Sequence, residues 1–122
     1  MVYINVELIY NNTYKFVQFT YKVPKKYLNI INIGSIIEVI FRNKKYNAVV
    51  VETNVKLSNN IKTNEVKKLL YNLSKKQFDY IKILAISNYL NIGMLLSNIF
   101  NLDTFIKQNK INDKKYKLMD LE

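Results

Sequence analysis

Apolar and polar residues alternate along much of the first half of the chain. Val2, Ile4, Val6 and Leu8 take turns with Tyr3, Asn5, Glu7 and Ile9, the period of two that marks a half-buried strand. Asn11-Asn12 reads as a turn, because asparagine tolerates the left-handed backbone. Tyr14 to Val23 predicts a long second strand whose Phe19, Tyr21 and Val23 share a face. Pro24 ends it, having no N–H to give to a ladder. Lys25 to Asn32 reads as a surface loop with Leu28, Ile30 and Ile31 as apolar anchors. Gly34 is expected where the backbone needs a positive φ. Ile36 to Phe41 and Tyr46 to Val51 then form a hairpin around the basic turn Arg42-Asn43-Lys44-Lys45. Ile37, Val39 and Phe41 lie on one face of the third strand, with Ile36, Glu38 and Ile40 on the other. Two largely apolar faces suit a central strand or the wall of a small barrel.

Beyond residue 52 the period changes. Thr53 to Asn64 is polar and reads as a loop. Glu65 to Leu73 is ambiguous: Val66, Leu69, Leu70 and Leu73 fit a helical stripe, but a strand is expected, because a small barrel needs a closing fifth strand more than a free helix. Ser74-Lys75-Lys76-Gln77 is a capping box, with Ser at the N-cap and Gln three residues on. It opens a helix with one stripe of Phe78, Ile81, Ala85 and Tyr89 and another of Ile83, Ile86 and Leu90, which predicts packing on more than one side. Asn91 and Gly93 are the expected stop residues. Met94 to Phe100 reads as a second, short helix. Strands before residue 73 and helices after it make an α+β domain. The pattern fades after residue 100, which divides the chain into a domain over 1–100 and a basic tail or linker start over 101–122. The closing Leu121-Glu122 has the form of a cloning scar, as of a segment cut from a longer protein.

Composition removes several chemistries. There is no cysteine and no histidine among the 122 residues, so neither a thiolate zinc site nor a Ser/His or Cys/His centre can be built. Two glycines cannot supply a phosphate-cradling Gly-x-x-x-x-Gly-Lys-Ser/Thr loop. No paired carboxylates stand out as acid and base, and Glu38 and Glu52 read as solvated strand charges. No enzyme, cofactor or metal is expected. No apolar run is long enough to span a bilayer, and Met1 to Asn5 lacks the basic start of a signal peptide, so a cytoplasmic, nucleoid-associated protein is expected. The net charge of +10 predicts a polyanionic partner, although abundant Asn, Lys, Ile and Tyr also reflect the drift of an AT-rich coding sequence.

Phe19-Thr20-Tyr21-Lys22-Val23-Pro24, Gly34, Val39-Ile40-Phe41-Arg42 and Val49-Val50-Val51 together resemble one family. In order and spacing they are similar to the opening of the N-terminal 3′-end DNA-binding domain of the replication-restart helicase primosomal protein N′ (PriA). Val66 to Leu73 resembles a later strand of that family. Ala85, Tyr89, Ile92-Gly93 and Leu96 take the places of its helix end. The resemblance covers about residues 1–100 and implies a small, partly open, OB-like antiparallel β-barrel followed by a C-terminal helical segment. It also implies a pocket for the 3′-terminal nucleotide, formed by Phe19, Thr20, Tyr21, Arg42 and Lys67. Two of these depart from the family pattern: Thr20 stands where the family has Asp, and Arg42 where it has Gly.

A 3′-end site needs an aromatic face for the last base, a polar group for its edge and a cation for the last phosphate. Phe19 or Tyr21, Thr20, and Lys67 or Arg42 can serve in that order, though core packing and solvated charge are their plainer roles. Lys25, Lys26, Lys44 and Lys45 are candidate phosphate contacts, with Tyr27 and Tyr46 interleaved as possible stacking partners. Lys75 and Lys76 sit at a helix N-terminus, where cations are disfavoured. The leading expectation is a DNA-binding module for the 3′ end of a strand at a stalled fork, positioning a helicase in replication restart alongside other primosome proteins. The alternative is a protein-interaction or scaffolding domain whose pocket Thr20 and Arg42 have closed. Membrane-surface binding has only net charge behind it.

Overall fold

The computed structural model describes residues 2–9, 18–57 and 63–99. Five strands precede two helices: β1 Tyr3–Leu8, β2 Phe19–Lys22, β3 Ser35–Phe41, β4 Lys44–Glu52, β5 Lys68–Asn72, α1 Lys75–Ser87 and α2 Ile92–Ile99. The expected division near residue 73 therefore falls between β5 and α1. The strands form one antiparallel sheet in the order β2-β1-β4-β3-β5. The sheet is not closed into a barrel. Among the described residues its two edges meet only at an isolated parallel bridge, Lys22 to Glu65, where Lys22 N–H donates to the Asn64 carbonyl and Val66 N–H to the Lys22 carbonyl. The expected turn at Asn11-Asn12, the start of the long second strand at Tyr14 and the tail over 101–122 lie outside the described residues.

The sheet is buried on both faces. Ile4, Val6, Leu8, Tyr21, Val23, Ile37, Val39, Ala48 and Val50 fill one side with Ile31 and Val66. Ile36, Val49 and Leu73 pack on the other against Phe78, Ile81 and Ala85 of α1 and Ile92, Leu95 and Leu96 of α2. Phe19, Tyr21 and Val23 do share a face. β3 is apolar on both sides because Ile36 serves the helix-side cluster while Ile37 and Val39 serve the other. Each fully buried aliphatic side chain contributes about 1.5–3 kcal/mol relative to exposure.

Local chemistry shapes the connections. The hairpin turn is tighter than four residues: Phe41 pairs with Lys44, leaving Arg42 and Asn43 as the central pair at φ 51° and 66°. Two successive positive φ values belong to a type I′ turn, whose twist matches that of the strands. Gly34 has φ +95°, as its position required. The fifth strand is a strand rather than a helix, because its backbone completes the β3 edge from Ser35↔Asn72 to Glu38↔Lys68.

The helices differ from expectation at their joint. The capping box is formed as read: Ser74 accepts from Gln77 N–H, and Gln77 accepts from Ser74 N–H. Asn91 and Gly93, however, begin α2 rather than ending α1. Asn91 Oδ1 accepts from Met94 N–H at 2.7 Å. α1 is stopped by Tyr89 at φ 57°, with Leu90 N–H donating to the Ala85 carbonyl and Tyr89 N–H to the Ile86 carbonyl, the two bonds of a Schellman motif. This takes Tyr89 off the apolar stripe, and it is 86% exposed. Ile83 and Ile86 also face outward, so α1 is covered on one face and not on two.

Candidate nucleic-acid interface

β2 is an edge strand, so a ligand lying along it can touch both faces of the sheet. Phe19 and Tyr21 point to the face filled by the first cluster, and Thr20 to the opposite one. Tyr21 is a core residue, only 4% exposed. Its hydroxyl donates to the Ile40 carbonyl at 3.0 Å, and burial raises its pKa above the ordinary value.

Phe19 is half-buried and meets Phe41, with ring centroids 4.4 Å apart and planes tilted by 50°. Tyr46 approaches Phe41 edge-on at 6.1 Å. The Arg42 guanidinium lies over the Phe41 ring, 5.1 Å from its centroid, a cation–π geometry. The fold thus joins Phe19 on β2 to Arg42 in the β3–β4 turn through Phe41, a residue that the sequence placed on a strand face and in the family resemblance but not in the pocket. The signal for Phe41 was its place directly before Arg42, but its proximity to Phe19 depends on how the sheet curls.

Thr20 belongs to a different arrangement. Its hydroxyl donates to Asn5 Oδ1 at 2.6 Å, and Asn5 Nδ2 donates to Glu52 Oε1 at 2.8 Å. The three residues stand side by side on β2, β1 and β4, with Asn5 the cross-strand partner of both Thr20 and Glu52. From the sequence Glu52 was read only as a solvated strand charge and Asn5 only as a polar position of the first strand, since no spacing along the chain places 5, 20 and 52 together before the strand order is known.

Lys67 precedes β5, where its N–H donates to the Glu38 carbonyl at 2.8 Å, and its side chain is exposed. It lies beside the Lys22–Glu65 bridge rather than against the Phe19 rings. Lys25 and Lys26 form an exposed 3-10 turn with Tyr27, and the Lys26 ammonium sits 5.1 Å from the Tyr27 ring centroid. Lys44 and Lys45 are exposed at the start of β4. The two basic groups therefore lie beyond opposite ends of the four-residue strand β2. Lys75 is paired with Asp79 at 2.8 Å on the surface of α1, which answers the charge conflict at that helix start with a neighbouring acid.

Among the described residues, cavities lie elsewhere. One of about 600 Å³ is lined by residues including Val51, Leu73, Lys75, Phe78 and Lys82. One of about 140 Å³ lies beneath the 27–32 loop, with Val2, Val23, Tyr27 and Ile31 among its walls. Neither is lined by Phe19, Thr20, Tyr21, Arg42 or Lys67. Among the described residues there is no cluster of acids that could hold a metal ion and no helix long and apolar enough to cross a membrane.

A comparison with protein-family models matches residues 5–100 to the 3′ DNA-binding domain (3′BD) of PriA. A search of the curated proteins gives no match.

Proposed function

The chain belongs to the 3′ DNA-binding domain family of PriA, a family of DNA-binding rather than catalytic domains, and from that premise we propose that it holds the 3′ end of a DNA strand at the edge formed by β2. In this reading the substrate is forked or single-stranded DNA with a free 3′ end. The domain positions a helicase for replication restart, in the company of other primosome proteins at the nucleoid. The observation that carries the reading is the Phe19–Phe41 pair with Arg42 above it. An aromatic surface beside a cation, at an exposed turn, offers a base a stacking face and its phosphate a counter-charge. Thr20 supplies an acceptor on the other side of the same strand. Lys67, Lys25, Lys26, Lys44 and Lys45 supply phosphate contacts on its flanks, and Tyr21 acts by shaping the strand from within.

A second reading, a protein-interaction domain with a closed pocket, draws on the burial of Tyr21 and on a cavity of about 600 Å³ that no residue of β2 lines. One titration separates them. Forks with a free 3′-OH should bind more tightly than the same forks with that end blocked or absent, and Lys67→Ala should weaken the free end more than an internal single strand. Equal affinity for every fork, with uniform loss in Lys67→Ala, would favour the scaffolding role.

A further inference from the structure

We infer that the two cavities beside the 28–33 loop form a docking site for an acidic segment of a partner protein, bound in extended form and separate from the DNA site on β2. The larger cavity, about 600 Å³, has Ile33, Val51, Leu73 and Phe78 among its walls, and its size is that of a ligand pocket. The smaller, about 140 Å³, has Val2, Val23 and Ile31 among its walls. Asn32 and Thr53 line both, so the cavities adjoin across one polar ridge. On the same loop Leu28, Ile30 and Ile33 are exposed. Large apolar side chains grouped in this way, with polar groups around them, mark an interaction surface.

The lining selects the occupant. An extended peptide sends alternate side chains to one face, so one short stretch can fill two adjoining cavities. Where it crosses the ridge, its backbone needs both an acceptor and a donor. The Asn32 amide donates to the Ile30 carbonyl at 3.3 Å, which leaves Asn32 Oδ1 to accept a peptide N–H. The Thr53 hydroxyl has no partner among the described residues and can donate to a peptide carbonyl. Charge sets the flanks. Asp79 is held by Lys75 at 2.8 Å. Lys82, exposed in the wall of the larger cavity, has no acid partner among the described residues and attracts a carboxylate. A nucleic-acid strand fits less well, because its phosphates would pass the Asp79 carboxylate in the same wall. The aromatic there, Phe78, is buried rather than presented as a stacking face. A second copy of a chain carrying +10 is repelled by the same charge that attracts an acidic segment.

The test is an NMR titration of the isotope-labelled protein with a blocked peptide that carries phenylalanine and valine two residues apart among aspartates. One control peptide sets the two apolar residues side by side, and another replaces the aspartates with lysines. Saturable shifts are expected at Ile33, Thr53 and Lys82 with the first peptide, and binding about fivefold weaker with either control. Ile33→Ser should weaken the first peptide by about tenfold, the scale of one lost apolar contact. Lys82→Glu should weaken it by about fivefold, the upper range for an exposed ion pair, and should bind the lysine peptide more tightly than the wild type does. That reversal is a gain that a damaged fold cannot imitate. Both variants should bind single-stranded DNA as the wild type does. The inference is overturned, and end binding left standing, by no saturable binding at millimolar peptide, by shifts confined to other residues, by equal binding of the three peptides, or by no gain of the lysine peptide in Lys82→Glu. Loss of single-stranded DNA affinity by the same factor in Lys82→Glu assigns the surface to nucleic acid and overturns it as well.

Discussion

Two residues show how far a side chain's role departs from its position in the pattern. Gly93 was read as a helix stop. Instead, a Cβ at this position would lie 2.1 Å from the Leu8 carbonyl oxygen, so the start of α2 presses directly on β1. Its N–H donates to Glu7 Oε1 at 3.1 Å, which places a carboxylate only 7% exposed at a helix N-terminus, where the dipole favours it. The alternation of β1 had assigned Glu7 to solvent, and only the packing of a helix 86 residues away reverses that. Gly93→Ala should lower stability by about 2–3 kcal/mol through overpacking against backbone, measured as a shift in the denaturant midpoint. Tyr21 gives a pH signature. Burial raises its folded pKa above the ordinary value of 10.0, so the folded state binds the phenol proton more tightly than the unfolded chain does. Its contribution is complete below pH 10 and is lost as pH rises past that value. Alkaline denaturation curves should therefore fall more steeply for the wild type than for Tyr21→Phe. At neutral pH that variant loses about 1 kcal/mol with the bond to the Ile40 carbonyl.

Elements defined by local chemistry were legible, and those defined by neighbours were not. The capping box at Ser74, the break at Pro24, the positive φ at Gly34 and the apolar alternation of β3 follow from a few adjacent residues and appear in the structure as read. The strand identity of 68–72 was not decidable from its own period. Its apolar residues divide between both sheet faces, and a register shift between Ile36 and Ile37 blurs the alternation. The ends of α1 and of the hairpin were missed for a common reason: each turns on a side-chain-bearing residue in the left-handed region, Tyr89 and Arg42, where glycine or asparagine is the usual marker. That strain is testable. Tyr89→Gly should stabilise the protein by about 1 kcal/mol, because it removes a left-handed penalty of roughly 1–2 kcal/mol per residue from a side chain that is 86% exposed, offset by glycine's greater unfolded-state freedom. Arg42→Gly should relieve the turn in the same way while removing the cation above Phe41. Thermal stability should then rise as affinity for single-stranded DNA falls. Both quantities falling together would mean that Arg42 is needed chiefly to hold the turn.

At the scale of the whole molecule, the distribution of charge decides more than its total. The excess of 19 basic over 9 acidic residues fits compositional drift as well as function, but position discriminates. Lys25 and Lys26 stand at one end of β2, and Arg42, Lys44 and Lys45 stand at the other, all exposed, with Lys67 near the seam where the two sheet edges meet. A single strand lying along β2 would meet both groups in succession. Each engaged cation adds about 0.7 to the log–log dependence of affinity on salt for single strands, so full engagement of the six predicts a slope of about −4. The double variant Lys25→Ala/Lys26→Ala should reduce the slope by about 1.4 and weaken binding to every sequence alike, since phosphate contacts carry no base information. Fluorescence anisotropy of a labelled oligonucleotide across a salt series measures both effects. If the double variant keeps the wild-type slope, the strand does not run the length of β2. The contact would then be confined to the end that carries Phe19, Phe41 and Arg42, and the remaining lysines would be the residue of composition.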